Sequence, residues 1–252
     1  METHLFACLS DNYGVLVHDP DSGETAAIDV PEEAAVRQAL ADTGWTLTHI
    51  FITHHHNDHI GGLEALNGPD IKVIGPKRDE HRIPGLDVTV SENDTVPFGG
   101  EDVEVLETPG HTSGHVTYYM RKAGLAFAGD TMFTLGCGRL FEGTPADMWS
   151  SLKKISALPA STKVFSGHEY TLSNARFAVT ADPTNEKLKA RLNEVEKKTE
   201  QGTPTVPTTV GEELETNPFV RAGTVEVAEA MGLAGESPET VLAEVRKRKD
   251  NF

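Results

Sequence analysis

The stretch Thr53-His54-His55-His56-Asn57-Asp58-His59-Ile60-Gly61-Gly62 decides how this chain is organised. It follows three apolar residues in a row, as a loop at the end of a buried strand would. Side chains two positions apart on an extended segment share one side. We therefore expect His54 and His56 to project together and His55 to project away from them.

The second part of the stretch adds a carboxylate and a further imidazole. Because the chain turns after the third histidine, Asp58 and His59 can approach the same point from another direction. Zinc, iron and manganese accept imidazole and carboxylate ligands. The stretch therefore predicts a metal site rather than a polar loop that is rich in histidine by chance, and the rest of the chain must decide between a structural and a catalytic metal.

The composition limits the class of protein. A chain of 252 residues is long enough for one large domain, or for a main domain with a smaller addition. The formal net charge of −17 argues against nucleic acid binding and against adsorption to anionic membranes. An anionic substrate would therefore need a local basic patch.

Cysteine content and the N-terminus point to the compartment. Cys8 and Cys137 are too few for a disulfide framework or a cysteine-rich zinc site. The first residues lack the basic region and the apolar core of a signal peptide, and no run reaches the ~20 apolar residues of a membrane span. We therefore expect a soluble, cytoplasmic protein.

Short strands and helices alternate through the first two-thirds of the chain. The apolar patterns predict strands at 14–18, 26–29, 48–53, 72–74, 87–90, 103–107, 116–120, 125–128 and 164–165, and helices at 31–44, 62–66 and 146–158. This order predicts a layered α/β domain with ligands on the loops at strand ends. Past residue 170 the pattern becomes helical, at 185–199 and from Ser237-Pro238 onward. We therefore predict a catalytic domain over 1–171 and a helical domain over 172–252.

Three later residues repeat the pattern of a polar side chain directly after a short apolar strand: His111, Asp130 and His168. Each alone would more often be a turn residue than a ligand. Their number and placement agree with the opening stretch, and the complete set of seven candidates is His54, His56, Asp58, His59, His111, Asp130 and His168. Seven ligands exceed the four of a structural zinc and suit two metals that share a carboxylate and a water. Such a pair generates hydroxide at neutral pH, so the set predicts a hydrolase.

The other histidines are not predicted to be ligands. We expect ordinary surface or partly buried positions for His4, His18, His49 and His81. His55 should support the loop. For His115, a hydrogen bond to a ligand is the favoured interpretation over direct ligation.

With these residues the sequence resembles the metallo-β-lactamase superfamily and, within it, the glyoxalase II family of hydroxyacylglutathione hydrolases. The family motifs are Thr-Pro-Gly-His-Thr-Ser-Gly-His (108–115), Gly-Asp-Thr-Met-Phe-Thr-Leu-Gly-Cys-Gly-Arg-Leu-Phe-Glu-Gly-Thr (129–144), Gly-His-Glu-Tyr-Thr (167–171), Asn-Pro-Phe-Val-Arg (217–221) and Arg-Lys-Arg-Lys-Asp-Asn-Phe (246–252). The resemblance covers nearly the whole chain. The histidine motif specifies only the superfamily, whereas the Cys-Gly-Arg loop and the basic end specify the narrower family.

The resemblance implies an α/β fold, the metallo-β-lactamase αββα sandwich, followed by a small all-α C-terminal domain that binds substrate. It implies two divalent metal ions per chain, with zinc preferred over iron or manganese. It assigns His54, His56 and His111 to one metal and Asp58, His59 and His168 to the other, with Asp130 bridging them. Asp58 and Asp130 would fix the metal spacing and orient the attacking hydroxide, which makes them the catalytic pair.

The resemblance also implies a binding face for glutathione. The family's contacts fall on Arg139, Phe141, Tyr170, Arg246 and Lys249. Some relatives carry Tyr where this chain has Phe141, so a hydroxyl contact is lost there although the ring can still pack. On a helix, Arg246 and Lys249 share one face. The competing interpretation of this basic end is a solvated tail at a helix C-terminus.

The reaction implied is hydrolysis of S-(2-hydroxyacyl)glutathione thioesters, chiefly S-lactoylglutathione, to glutathione and lactate, the final step of methylglyoxal detoxification. A dinuclear-metal-bound hydroxide would attack the thioester. Thiols have pKa values of about 8.5, so the leaving group needs no strong acid. The alternative is a glutathione persulfide dioxygenase with a single iron; a β-lactamase, a nuclease and a catalytically silent metal-binding protein are further rivals. We expect a monomer whose partner is a small glutathione thioester, not a nucleic acid or a membrane.

Overall fold

The computed structural model describes residues 1–252. Its strands are β1 (Glu2–Cys8), β2 (Asn12–His18), β3 (Thr25–Ile28), β4 (His49–Phe51), β5 (Lys72–Pro76), β6 (Val88–Val90), β7 (Thr95–Phe98), β8 (Glu101–Glu107), β9 (Val116–Met120), β10 (Leu125–Gly129), β11 (Met132–Phe133), β12 (Gly136–Cys137), β13 (Lys163–Ser166) and β14 (Thr208–Thr209). Its α-helices are α1 (Glu33–Thr43), α2 (Asn57–Ile60), α3 (Leu63–Leu66), α4 (Pro145–Ser156), α5 (Thr171–Ala181), α6 (Glu186–Glu200), α7 (Val210–Thr216), α8 (Val225–Met231) and α9 (Pro238–Asp250). No helix combines the length and the apolar character that a membrane crossing requires.

Two six-stranded sheets carry the fold, with the strand orders β1-β2-β3-β4-β5-β6 and β14-β13-β10-β9-β8-β7. β11 and β12 form a separate two-stranded ribbon. The chain divides into two compact units, the first made of Met1–Glu107 and Gly114–Gly129, the second of Thr108–Ser113 and Asp130–Phe252.

The first unit holds the whole first sheet and the antiparallel strands β7 to β10. Strands β3, β4, β5 and β6 run parallel, with Ile28 opposite Phe51 and Phe51 opposite Ile74. All residues of β3 and β4 are buried, as expected for parallel strands covered on both faces. Because the carboxyl ends of parallel strands meet at one edge, Asp29 after β3 and the histidine stretch after β4 come together there.

The second unit contains the ribbon, β13, β14 and the helices from α4 onward. α4 begins at a capping box between Thr144 and Asp147, and α9 begins at Ser237, whose side chain accepts from the backbone N–H of Thr240. Leu135, in the turn of the ribbon, packs with buried side chains of α5 and α6. The ribbon is thus anchored in the core of this unit.

The layered α/β prediction is confirmed, and the predicted helices at 31–44, 146–158 and 185–199 correspond to α1, α4 and α6. Strands β1, β7, β11, β12 and β14 were not predicted, and α5 was covered only by the general prediction of helical structure past residue 170. β7 was missed because it contains Pro97, and a proline argues against a strand in the sequence. β7 is an edge strand, however, where the missing N–H of proline is tolerated. The predicted domain boundary after residue 171 stays a prediction.

Candidate metal centre

The histidine stretch brings two imidazoles together in the first unit. The Nε2 atom of His54 lies 3.1 Å from the Nδ1 atom of His56, whereas His55 turns to the other side and pairs through Nδ1 with Asp79 Oδ2 at 3.0 Å. Arg82 donates to both members of that pair. The predicted projection of the three histidines is therefore confirmed, and His55 fixes the loop to the residues after β5.

Asp29 holds the loop and one predicted ligand, and sequence reasoning missed it. Its Oδ1 accepts from the backbone N–H of Thr53, and its Oδ2 lies 2.8 Å from both Thr53 Oγ1 and His59 Nδ1. A carboxylate only accepts, so Nδ1 of His59 carries the proton and Nε2 is the atom that can bind a metal. The signal that could have found Asp29 is its position directly after a buried parallel strand.

Asn12 plays a similar role for Asp58. Its Nδ2 donates to Asp58 Oδ2 at 3.0 Å and to the Asp58 carbonyl at 3.1 Å, from a buried position at the start of β2. The amide thus fixes both the backbone and the carboxylate of this residue. Sequence reasoning missed Asn12 because 46 positions separate the two residues.

His115 is fully buried and its ring stacks on that of His54, with 4.9 Å between the centroids. A Cβ atom on Gly129 would lie 2.7 Å from the His115 Nε2 atom and 2.6 Å from Thr53 Oγ1. Only glycine therefore leaves room at this point behind the histidine stretch. The predicted hydrogen bond from His115 to a ligand stays a prediction.

In the second unit one carboxylate lies between two imidazoles. The Oδ2 atom of Asp130 is 3.4 Å from His111 Nε2 and 3.3 Å from His168 Nε2, and all three residues are buried. The Nδ1 atom of His111 lies 2.9 Å from the Arg139 carbonyl, to which it donates. Its Nε2 is thereby directed towards Asp130. Gly138 packs so closely on the Asp130 carbonyl that a Cβ atom would overlap it.

The chemistry and spacing of the donors fit metal ions. Three groups of side chains place one ligand atom each within 4.8 Å of one another: His54, His56 and His111; His54, His59 and Asp130; Asp58, His59 and His168. The groups overlap through His54 and His59, and together they contain all seven predicted ligands. Nitrogen and carboxylate donors in this ratio suit zinc, iron or manganese. The cluster is consistent with a binuclear site.

Three of the five predicted glutathione contacts have exposed side chains. Phe141 and Tyr170 are exposed; Phe141 packs on the ring of His111 at 5.1 Å, and Tyr170 stacks on His168 at 4.7 Å. The side chain of Arg139 is 67% exposed. These three side chains can therefore meet a substrate.

The basic residues lie in the last turns of α9; Lys247 and Arg248 are exposed there, whereas Arg246 and Lys249 are bonded to the rest of the second unit and are not part of a solvated tail. Arg246 is 7% exposed, donates to the Cys137 carbonyl at 2.8 Å and lies over the ring of Phe219. The Nζ atom of Lys249 donates to the Ser173 carbonyl at 3.0 Å and to its hydroxyl at 2.7 Å. Arg246 therefore has a structural role, because it fixes the main chain at Cys137.

Lys249 has an unusual electrostatic setting. Burial, and then the neighbouring charges of Arg246 and Arg139, lower the pKa of Lys249 to about 8. The rings of Phe177 and Phe252 cover the ammonium at 5.6 and 5.4 Å. Its positive charge therefore titrates close to neutral pH.

Two other polar side chains of interest, His49 and Cys137, are buried. The prediction for His49 was wrong: it is buried between Phe51 and Phe98, and burial lowers its pKa. Cys137 is also buried, within the loop that leads to Arg139, and burial raises the pKa of its thiol to about 11.

The sequence and the fold were compared with those of known proteins. A family profile described as metallo-beta-lactamase superfamily matches residues 21–168, and one described as hydroxyacylglutathione hydrolase C-terminus matches residues 169–252. A hydroxyacylglutathione hydrolase from Rhizobium etli is 53% identical over 100% of this chain and 99% of its own length. One from Rhizobium meliloti is 52% identical over the same shares. Among solved structures, ETHE1 from Myxococcus xanthus is 27% identical with a TM-score of 0.67, covering 99% of this chain and 98% of that chain.

Proposed function

The chain belongs to the hydroxyacylglutathione hydrolases of the metallo-β-lactamase superfamily, and from this membership we propose that it hydrolyses chiefly S-lactoylglutathione at a site for two divalent metal ions. It is a metal-dependent thioesterase. Its fold is the two-sheet metallo-β-lactamase α/β fold with a C-terminal helical domain, as the sequence predicted. The observation that carries the proposal is the overlap of three ligand groups through His54 and His59.

We assign the metals to the residues that the resemblance implies. His54, His56 and His111 would hold one ion, Asp58, His59 and His168 the other, and Asp130 would serve both. Two such ions, when bound, lower the pKa of water and act as Lewis acids towards a carbonyl. We favour zinc, with iron or manganese as the other candidates, because the donor set accepts all three.

The protein's own residues orient this chemistry. Asp29 and the Arg139 carbonyl fix the proton of His59 and of His111 on Nδ1, so that Nε2 of each ring faces the centre. Asn12 keeps the Asp58 carboxylate in place. None of these groups has to protonate the leaving group, because a thiolate with a pKa of about 8.5 departs readily.

The second unit supplies the groups that would bind glutathione. Arg139 and Lys249 carry positive charge in a chain whose net charge is −17, so they form the local basic patch that a substrate with two free carboxylates needs. Phe141, whose ring packs on His111, and Tyr170, whose ring packs on His168, would contact the substrate. Arg246 would contribute its charge while it holds the Cys137 carbonyl.

We further infer that the protein acts as a monomer in the cytoplasm on a freely diffusing thioester. The glutathione thioester is its only inferred partner. Light scattering on the purified protein, with a mass near 27.2 kDa expected, tests the oligomeric state.

The decisive experiment couples a thioesterase assay with metal analysis of the same preparation. S-lactoylglutathione should be hydrolysed, and about two metal ions per chain should be found. Removal of the metal with a chelator should abolish hydrolysis, and zinc, iron or manganese should restore it. Full activity after complete stripping, or oxygen consumption with glutathione persulfide and no thioesterase activity, would overturn the proposal.

A further inference from the structure

The turn that joins β11 and β12 is held by side chains from two helices of the second unit. It runs over residues 133–137, and Leu135 adopts a φ of 59° at its tip. We propose that Asn174, Glu213 and Asn217, which we name the turn clamp, are positioning residues that keep this turn in place for glutathione binding. The inference rests on the proposed function.

Glu213 is the centre of the clamp. Its Oε2 accepts from the backbone N–H of Leu135 at 2.9 Å and from Asn217 Nδ2 at 2.8 Å. Its Oε1 accepts from Arg191 Nη2 at 2.7 Å and from Thr208 Oγ1 at 2.6 Å. The carboxylate is fully buried, so Arg191 balances a charge that would otherwise be costly.

Two carbonyls of the turn are held by side-chain amides. Asn217 donates to the Gly136 carbonyl at 3.0 Å, and Asn174 on α5 donates to the Thr134 carbonyl at 3.1 Å. A Cβ atom on Gly136 would lie only 2.5 Å from the Asn174 amide nitrogen, so the two surfaces touch. A buried network of such hydrogen bonds holds its groups in one arrangement.

The turn leads directly to the binding face. The next carbonyl, that of Cys137, accepts from Arg246 on α9, and Arg139 Nε lies 3.7 Å from Asp250 Oδ1 on the same helix. The turn therefore sets how Arg139 faces Lys249, which is adjacent to Asp250. A loosened turn should move the exposed side chains of Arg139 and Phe141, while the Arg139 carbonyl keeps its bond to His111 Nδ1, so the clamp should govern KM more than metal binding or kcat.

The test uses Asn217→Asp, which replaces the donor by a carboxylate beside Glu213, and Glu213→Gln, which removes the buried charge. We expect KM for S-lactoylglutathione to rise about tenfold, as for the loss of one well-placed buried hydrogen bond, with kcat within about threefold of wild type. Metal content should be unchanged. Thermal unfolding reports whether each variant is folded.

Two further variants separate positioning from stability. Glu212→Gln is the matched control, because Glu212 lies in the same helix, caps it through Thr209 and contacts Thr208 at 3.4 Å, but makes no bond to the turn. It should lower the melting temperature and leave KM unchanged. Asn174→Ala deletes only the hydrogen bond to the Thr134 carbonyl and keeps the Glu213–Arg191 ion pair, so it can be tested even if the other two variants do not fold. The KM of this variant should rise about threefold.

A substrate without most of glutathione provides the second readout. S-lactoyl-N-acetylcysteamine lacks the γ-glutamyl and glycyl parts, so kcat/KM on it should be the same for wild type and the clamp variants. Folded variants with wild-type KM, or an equal loss on both thioesters, would overturn the inference alone. A wild-type protein that fails to hydrolyse S-lactoylglutathione would overturn the proposed function and the clamp with it.

Discussion

The two units supply candidate metal ligands in different ways. In the first unit, each of two candidate ligands has its own side-chain partner: His59 pairs with Asp29, and Asp58 with Asn12. In the second unit, two histidines converge on the single carboxylate of Asp130, and a main-chain carbonyl orients one of them. The first unit thus holds its candidate ligands in separate pairs, whereas in the second unit two histidines share one carboxylate.

The difference determines how each arrangement fails. A separate pair can be weakened by one substitution that leaves the other pair intact. A shared carboxylate cannot be changed without affecting both of its imidazoles, and a main-chain carbonyl cannot be removed by substitution at all. Substitution of the shared carboxylate, Asp130, should therefore be more damaging than substitution of either side-chain partner in the first unit.

The largest effect is expected for Asp130→Asn. The amide is neutral and can direct an N–H at a metal or an imidazole, so His111 and His168 both lose their common anion. We expect metal content to fall, and kcat/KM for S-lactoylglutathione to drop by more than the roughly 100-fold that loss of an outer partner costs. Metal analysis and steady-state kinetics measure the two quantities. Retained metal with a loss under about tenfold would show that Asp130 is not a shared centre.

An intermediate effect is expected for Asp29→Asn. Asparagine tolerates the positive φ of 54° at this position, so the backbone should stay as it is while the charge facing His59 is lost. We expect metal affinity, measured by competition with a chelator, to fall about 10- to 100-fold. Asn12→Ala should act in the same direction and only through Asp58.

Asp79→Asn is the matched control for that substitution. Asp79 is a buried aspartate that also pairs with a histidine, but its partner His55 is not a predicted ligand. The control should lower the melting temperature without lowering metal affinity. Equal losses of affinity in Asp29→Asn and Asp79→Asn would mean that loop stability, and not ligand orientation, is being measured.

The smallest effect is expected at Lys249, far along the chain from every candidate ligand. Because the pKa of Lys249 is lowered to about 8, its charge is present below that pH and is lost as the pH rises through it. KM for S-lactoylglutathione should therefore increase about fivefold between pH 7 and 9, with kcat little affected by this group. Lys249→Arg stays charged over the whole range and should remove the increase. The same increase in that variant would assign the titration to another residue.

Sequence predicted what is local along the chain. The ligands of residues 54–59 could be found because their spacing repeats the geometry of a strand end followed by a turn. Helix α9 could be found because Ser237 and Pro238 form a start signal that needs no tertiary contact. The later ligands His111, Asp130 and His168 were recognised only because each follows a short apolar strand.

Sequence could not predict the residues that act across the fold. Asp29 meets His59 over 30 positions and Glu213 meets Leu135 over 78, and nothing near either carboxylate in the sequence indicates its partner. Strand β1 was missed for a different reason. Most of its side chains are exposed or only half-buried at the edge of the sheet, so the apolar alternation that identifies a strand is weak.

The burial of the two cysteines has a consequence for redox behaviour. Thiol–disulfide exchange requires an accessible thiolate, and burial raises the pKa of Cys8 to about 12 and that of Cys137 to about 11. Both thiols therefore stay protonated and shielded at neutral pH. An enzyme that releases glutathione at every turnover thus carries no thiol of its own that can form a mixed disulfide with oxidised product, and it should work equally well in reduced and oxidised glutathione pools.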